Sequence, residues 1–181
     1  YPVDLDKTLY VLTSGRYEPR NKGFDVCLEA MARLNGELRA RDVDCTIVFF
    51  IVSQRPTRSL HPQALESRGV LNELREVCAR VTRDLGEQLF RRAAAGQRVR
   101  LHDLVDEYWA LRLRRTQAAL RTERLPSVVT HTLENESSDP VLTQVKALNL
   151  MNRATDRVKV VYHPDFINPV NPLWGIEYEQ F

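Results

Sequence analysis

The stretch TIVFFIV, residues Thr46–Val52, is seven residues long and contains no charged residue. A run that is apolar on both faces is typical of a strand in the middle of a sheet that helices cover. A second apolar run, LYVLT at Leu9–Thr13, ends at Ser14-Gly15 and predicts a buried strand. Between the two runs apolar residues recur every three or four positions, which predicts an amphipathic helix. These residues are Phe24, Cys27, Leu28, Met31, Leu34 and Leu38.

The same alternation of strand and helix returns in the last third of the chain. Leu125–Thr130 and Val158–Tyr162 are predicted as strands. Ser138 or Asp139 is suited to cap a helix between them, with a proline at its first position. Residues 168–181, rich in Pro, Asn and aromatic residues, are predicted as loop. The order of these elements predicts an α/β fold with a Rossmann-like parallel sheet.

An arginine-rich block, residues 54–125, interrupts this pattern. It holds 15 Arg and no Lys against 9 acidic residues, although the whole chain has a net charge of only +2. Two apolar seams in this block predict a helical hairpin. The seams are Leu74, Cys78, Val81, Leu85 and Leu89, and then Leu101, Leu104, Tyr108 and Leu111.

We therefore expect three segments along the chain. Residues 1–53 form the first part of a Rossmann-like domain, 54–125 a helical insertion, and 126–181 the continuation of that domain. The positive charge of the insertion is compatible with nucleic-acid binding, but a solvated helix face carrying both signs of charge explains it better. The seams are suited to pack either against the parent domain or against another subunit, and the pattern does not choose between these.

The composition excludes several classes of protein. The chain is 43% hydrophobic and 28% charged, which is typical of a soluble globular protein. It has no apolar run approaching 18 residues and no basic segment of a signal peptide at its start, so we expect no membrane association. Three widely spaced cysteines, Cys27, Cys45 and Cys78, fit neither a disulfide framework nor a metal site. We interpret them as small core residues in a reducing compartment.

The segment with the most chemical character is GRYEPRNKG, Gly15–Gly23, between the first strand and the first helix. Ligands of open α/β sheets bind beyond the carboxyl ends of the strands, where the next helix offers free N–H groups. An Arg and a Lys in such a loop suit a diphosphate. A basic loop is also often solvated or paired with a nearby acid, here Glu18. No dinucleotide or ATP-binding glycine pattern is present.

The Gly15–Gly23 loop and several later motifs together resemble animal- and fungal-type glycogen synthases, the family 3 glycosyltransferases. The resemblance is to the C-terminal Rossmann domain, and its motifs occur in order over essentially the whole chain. They are Arg16-Tyr17-Glu18, Arg20–Gly23, Cys27–Asn35, Val129–His131, Ser137–Leu142, Asp156–Val160, His163–Phe166, Tyr178 and Phe181.

The resemblance implies a GT-B enzyme that transfers glucose from UDP-glucose to the non-reducing end of an α-1,4-glucan with retention of configuration. It implies that Arg16 and Lys22 hold the donor phosphates and stabilise the UDP leaving group, without a metal or other cofactor. It further implies that Tyr178 stacks on the uracil ring and that Phe166 lies near the same base. The helical insertion would build a homo-oligomer, and the enzyme would be cytoplasmic.

The chain also departs from the family pattern. Pro19 stands where an aromatic residue is usual, and Thr132 stands where Asn usually follows Thr-His. The resemblance implies that the acceptor-binding domain lies before residue 1 and that the Glu-bearing catalytic motif lies after residue 181. We therefore expect the isolated chain to be inactive. No general base or nucleophile is assigned, because His131 and His163, at strand ends, are more often structural.

Two other functions remain open at this stage. One is a GT-B glycosyltransferase that uses another sugar nucleotide, such as ADP-glucose, or another acceptor. The other is a non-catalytic module whose role is oligomerisation through the helical insertion. Competition between UDP and ADP for binding distinguishes UDP-glucose from ADP-glucose as the donor. Sedimentation tests the oligomerisation.

Overall fold

The computed structural model of the chain describes residues 4–18, 21–100, 104–120 and 126–167. The chain divides into two compact units. One unit, Glu66–Glu123, is called the helical unit below. The other contains the segments on either side of that range, and we call it the sheet unit.

The sheet unit is built around three parallel strands in the order β1-β2-β5. Their ranges are Thr8–Ser14 for β1, Thr46–Val52 for β2 and Val158–His163 for β5. The uncharged run lies at the centre, paired on one side with β1 and on the other with β5. The parallel α/β sheet predicted from the sequence is thus confirmed. β2 lies at its centre because it is apolar on both faces, and β1 and β5 provide hydrogen-bond partners for its backbone.

Two helices cover one face of this sheet. Helix α1, Phe24–Ala40, follows β1, and helix α4, Pro140–Ala147, precedes β5. Asp139 caps α4 by accepting a hydrogen bond from the Leu142 amide at 2.9 Å, which confirms the second of the two predicted caps. The core lies between these helices and the strands, and its fully buried members include Leu28, Ile51 and Val160.

Strand β1 differs from its prediction as a buried strand. Leu9, Tyr10 and Leu12 are 59%, 59% and 60% exposed. Side chains alternate between the faces of a strand, so Tyr10 and Leu12 lie on the face opposite to Val11, which packs against the core. Within the described residues β1 is an edge strand, and an apolar run in sequence does not reveal which strand lies at the edge.

The predicted strand at 125–130 is shorter in the structure. Val129 forms a single parallel bridge to Tyr162 of β5. The chain then forms β4, His131–Leu133, which pairs antiparallel with β3, Thr57–Leu60. The extended segment leaves the main sheet after Thr130 because its next residues pair with β3 instead. The predicted loop at 168–181 lies outside the described residues.

The helical unit contains most of α2, Pro62–Ala94, and all of α3, Glu107–Leu120. Arg112 of α3 donates a hydrogen bond to Glu73 of α2 at 3.3 Å. Val77 is buried, whereas its neighbour Cys78 is exposed. The interpretation of Cys78 as a core residue is therefore wrong: at this turn of α2 the buried side chain is Val77, although Leu74, Val81 and Leu85 of the predicted seam are part-buried. None of the described helices is both long and apolar enough to cross a lipid bilayer.

Candidate functional site

The candidate site lies in the sheet unit, at the carboxyl edge of the parallel strands. The loop after β1 is tied to β2 by a hydrogen bond from the Gly15 amide to the Val52 carbonyl at 3.0 Å. The loop ends at Gly23, the N-cap of α1, where φ is +67° and no side chain caps the helix. Glycine adopts this left-handed conformation without strain. Because Gly23 has no side chain, the amide N–H groups in the first turn of α1 have no side-chain acceptor at the N-cap position.

Arg16 and Lys22, the two predicted phosphate ligands, stand at opposite ends of this loop. Both are exposed, and neither side chain has an ion pair or hydrogen bond within the described residues. Glu18 does not pair with them: its carboxylate accepts a hydrogen bond from the Asn21 side chain at 2.7 Å. Its carbonyl accepts from the Asn21 and Lys22 amides at 3.2 and 3.4 Å. The alternative that Glu18 neutralises the basic residues therefore finds no support in this geometry.

Two aromatic residues, Phe166 and Tyr178, are predicted to contact the nucleobase. Phe166 follows the end of β5, at the same edge of the sheet as the Gly15–Gly23 loop, and its side chain is 60% exposed. Asp165 accepts a hydrogen bond from the Phe166 amide at 2.7 Å. Tyr178 lies outside the described residues.

His131 and His163 form a buried pair beside this edge. Their rings lie 5.0 Å apart, and the Thr130 hydroxyl lies 2.9 Å from the Nδ1 atom of each. Burial lowers the pKa of both rings, and the neighbouring ring lowers that of His163 further, whereas Asp165 opposes the shift in each. Two neutral rings joined through a hydroxyl suit a structural role, which was the interpretation preferred from the sequence.

A third group of residues, centred on Arg55, was not predicted from the sequence. The Arg55 guanidinium lies 5.4 Å from the centre of the Tyr17 ring. Its Nε atom lies 3.8 Å from Oδ2 of the buried Asp139, which is ion-pair range but too long for a hydrogen bond. Tyr162 donates a hydrogen bond to the same carboxylate oxygen at 3.3 Å. One cation thus connects the β1–α1 loop with the start of α4.

The electrostatics of this group keep both tyrosines neutral. Burial raises the pKa of Tyr17, and the charges of Asp25 and Asp139 raise it further while Arg55 opposes them. Burial also raises the pKa of Tyr162 far above its usual range, with Asp139 adding to the shift and Arg55 opposing it. A tyrosine hydroxyl beside a carboxylate stays protonated, so Tyr162 remains a hydrogen-bond donor to Asp139.

A cleft of about 290 Å³ opens beside Arg55. Its walls are Arg55, Pro56, Leu133, Asn135, Ser138, Asp139 and Pro140. Ser53, which directly follows β2, is 1% exposed, and its hydroxyl has no hydrogen-bond partner within the described residues. Also within those residues, no three His, Cys, Asp or Glu side chains converge in a way that would hold a metal ion.

Comparison with known proteins identifies the lineage of this arrangement. A glycogen synthase family model matches residues 1–181. The chain belongs to the glycogen synthase family. Relatives named glycogen [starch] synthase include one from Neurospora crassa, 35% identical over all of this chain and 26% of its own length. The human liver protein is 34% identical over 98% of this chain and 25% of its own length. The Caenorhabditis elegans protein is 36% identical over 98% and 27%.

The chain thus spans about a quarter of the length of these glycogen synthases. Within that quarter, Arg16 and Lys22 stand in the loop that carries the family resemblance. Arg55 carried no motif, but it follows the end of β2 as Arg16 follows the end of β1. Its position just beyond the carboxyl end of a parallel strand is the sequence signal that marks Arg55 as a candidate site residue.

Proposed function

We propose that this chain is the donor-binding part of a glycogen synthase. The complete enzyme transfers glucose from UDP-glucose to the 4-hydroxyl group at the non-reducing end of an α-1,4-glucan, with retention of configuration. The observation that carries the proposal is the Gly15–Gly23 loop, whose family motif lies at the carboxyl edge of the sheet and ends at the N-terminus of α1. The acceptor glucan is bound by parts of the enzyme outside this chain, so the isolated chain makes no glycogen.

The phosphate-binding role follows from charge and from the helix terminus. The amides of the first turn of α1 and the positive end of its dipole attract a diphosphate. Arg16 and Lys22 are exposed and unpaired within the described residues, so the diphosphate does not compete with an existing carboxylate partner. As the glucosyl bond breaks, negative charge grows on the departing UDP, and these two cations stabilise it, which lowers the barrier.

The base-binding role is assigned to aromatic residues. Phe166, at the end of β5, offers an exposed ring at the same edge of the sheet as the phosphate loop. Stacking of a nucleobase on such a ring is worth about 1–3 kcal/mol. By family resemblance Tyr178 stacks on the uracil, and Phe166 borders the same base. The expected location of such an enzyme is the cytoplasm, where glycogen is made.

Nucleotide titration of the chain tests this proposal. UDP should bind with a dissociation constant that rises at least tenfold when Arg16 and Lys22 are both replaced by Ala. Arg33→Ala, an exposed arginine on α1, is the matched control and should leave the affinity unchanged. Binding of ADP in preference to UDP would identify another donor instead. In a complete synthase that carries this chain, the double variant should lose glucosyl transfer, and near-normal turnover would refute the assignment.

The helical unit supports a second candidate, assembly into an oligomer. Phe90 of α2 is 75% exposed and Tyr108 of α3 is 60% exposed. Where such side chains form a contiguous patch, that patch is typical of a surface that contacts another chain. Sedimentation of the chain tests the idea: a monomer at all concentrations would contradict it, and the nucleotide proposal would still stand.

A further inference from the structure

The ring of Tyr17 has two neighbours. Phe24, the first residue of α1, has its ring centre 5.6 Å away. The Arg55 guanidinium lies over the Tyr17 ring, 5.4 Å from its centre. Tyr17 directly follows Arg16 in the chain, so whatever fixes its ring also restricts the backbone from which Arg16 projects.

Arg55 is itself well fixed. Its amide donates a hydrogen bond to the Pro164 carbonyl at 3.0 Å, directly after β5. Its Nε atom lies 3.8 Å from Asp139, whose side chain is 4% exposed. That carboxylate also accepts hydrogen bonds from the Leu142 amide at 2.9 Å and from the Tyr162 hydroxyl at 3.3 Å. Arg55 therefore connects the loop to the end of β5 and to the start of α4.

The charge of Arg55 is largely neutralised within the protein. Asp139 is buried and paired with it, so the two together present little net charge to a ligand. Arg16 and Lys22 have no such partner within the described residues. This contrast separates the two kinds of cation at this edge: Arg16 and Lys22 are available to an anion, whereas Arg55 is engaged with Tyr17 and Asp139.

We propose that Arg55 is a positioning residue that acts through Tyr17, and that it holds the β1–α1 loop in the conformation in which Arg16 meets the donor diphosphate. The inference rests on the proposed function. At its first residue the loop is tied to β2 by the hydrogen bond from the Gly15 amide to the Val52 carbonyl, whereas the described backbone hydrogen bonds after Tyr17, from the Asn21 and Lys22 amides to the Glu18 carbonyl, are local. The Tyr17–Arg55 contact adds a connection beyond Arg16, and a preorganised loop binds its ligand without a further cost of ordering.

A double-mutant cycle with inorganic pyrophosphate as the probe tests this role. Arg55→Met and Tyr17→Leu should each raise the dissociation constant of pyrophosphate by about tenfold, the upper range of a partly buried cation–π contact. The double variant should bind no more weakly than Tyr17→Leu alone, because Arg55→Met then removes a contact that is already lost. Tyr17→Phe keeps the ring and should bind like the unaltered chain.

Two outcomes would overturn the positioning role. If the effects of Arg55→Met and Tyr17→Leu add in the double variant, Arg55 meets the anion directly by its charge. If Arg55→Met leaves the pyrophosphate affinity unchanged, the contact is irrelevant to binding. Arg55→Met leaves Asp139 without its cationic partner, so unfolding is monitored alongside. Tyr17→Leu retains the Arg55–Asp139 pair and carries the test if Arg55→Met does not fold.

Amide hydrogen exchange in the absence of ligand separates this inference from the proposed function. Arg55→Met should speed exchange at Asn21 and Lys22 several-fold, while the amides of β2 keep their protection. If exchange responds in this way but the unaltered chain binds no pyrophosphate, the donor-binding proposal fails and the contact still orders the loop. If pyrophosphate binding depends on Arg16 and Lys22 but neither affinity nor exchange responds to Arg55→Met, the positioning role fails alone.

Discussion

The sheet unit and the helical unit bury their apolar residues very differently. Of the buried hydrophobic residues in the described parts of the chain, all but Val77 and Leu104 belong to the sheet unit. Both units expose some apolar residues, but the helical unit sets only those two buried residues against its exposed ones, which are Leu71, Leu89, Phe90, Val105, Tyr108 and Leu111. A parallel sheet with helices on one face encloses a core within one chain, whereas amphipathic helices leave their apolar stripes exposed unless another surface covers them.

This difference bears on where each unit obtains its stability. In the sheet unit, side chains such as Phe49, 1% exposed, are removed from water by the fold itself. In the helical unit, a residue such as Phe90, 75% exposed, gains little from folding within the described residues. The same residue type should therefore contribute very different free energies of unfolding in the two units.

The largest expected effect is that of emptying the sheet core. Phe49→Ala should lower the free energy of unfolding of the sheet unit by about 3–5 kcal/mol, because it removes a buried ring and leaves a cavity. Phe90→Ala is the matched control and should change it by less than about 0.5 kcal/mol. Denaturant titration, with amide hydrogen exchange read for peptides from each unit, measures the free energy of unfolding of the two units separately. Equal losses for the two variants would contradict the comparison.

A smaller loss is expected from Asn35, a buried polar residue of α1. Its side-chain oxygen accepts hydrogen bonds from the Arg157 and Val158 amides at 2.7 and 3.0 Å, and its nitrogen donates to Asp156 at 3.1 Å. Asn35→Ala should lower the free energy of unfolding by about 2–3 kcal/mol, because it leaves buried groups unpaired.

The exposed Arg33→Ala on the same helix serves as the control for Asn35 and should cost little. The same denaturant titration reports both variants. If Asn35→Ala were as mild as Arg33→Ala, the link between α1 and the start of β5 would not contribute to the core.

A further effect is expected from pH and should be confined to the sheet unit. Burial lowers the pKa of His131 and His163, so the unfolded chain binds protons there at a higher pH than the folded chain does. The stability from these groups is complete above the ordinary histidine pKa of about 6.5, and it is lost as the pH falls from there toward the depressed folded values.

Unfolding measured between pH 7.5 and pH 5 checks this expectation. His131→Gln should flatten the decline, since one of the two coupled rings is then absent. Asp165 lies near both rings and opposes the shift, so Asp165→Asn should steepen it. A sheet unit whose stability does not change over this range would rule out buried neutral histidines.

The smallest effect on unfolding is expected from Phe90→Asp on the helical unit. The free energy of unfolding of the monomer should change by less than about 0.5 kcal/mol, because the ring is largely exposed already. If α2 meets another subunit, however, the sedimentation coefficient of the oligomer should fall to that of a monomer. An oligomer that survives this change would place its interface elsewhere.

The sequence by itself determined the three strands of the parallel sheet, its two helices and its central strand, but not the β3–β4 pair. The run at Thr46–Val52 is apolar on both faces, so it had to be a central strand, and the helix at Phe24–Ala40 follows from its three- and four-residue apolar spacing. The sequence motifs also determined the family and the candidate phosphate loop. Whether Arg16 and Lys22 bind the donor remains a prediction.

The tertiary structure decided which strand lies at the edge and which distant residues meet. Leu9 and Leu12 are as apolar as residues of β2, yet their exposure depends on the neighbours that the described fold gives them. Arg55 and Asp139 are 84 positions apart in the printed sequence, and no local pattern pairs them with Tyr17. Periodicity reports only interactions within one element, whereas the contact of a cation with a ring and a carboxylate depends on how three elements pack together.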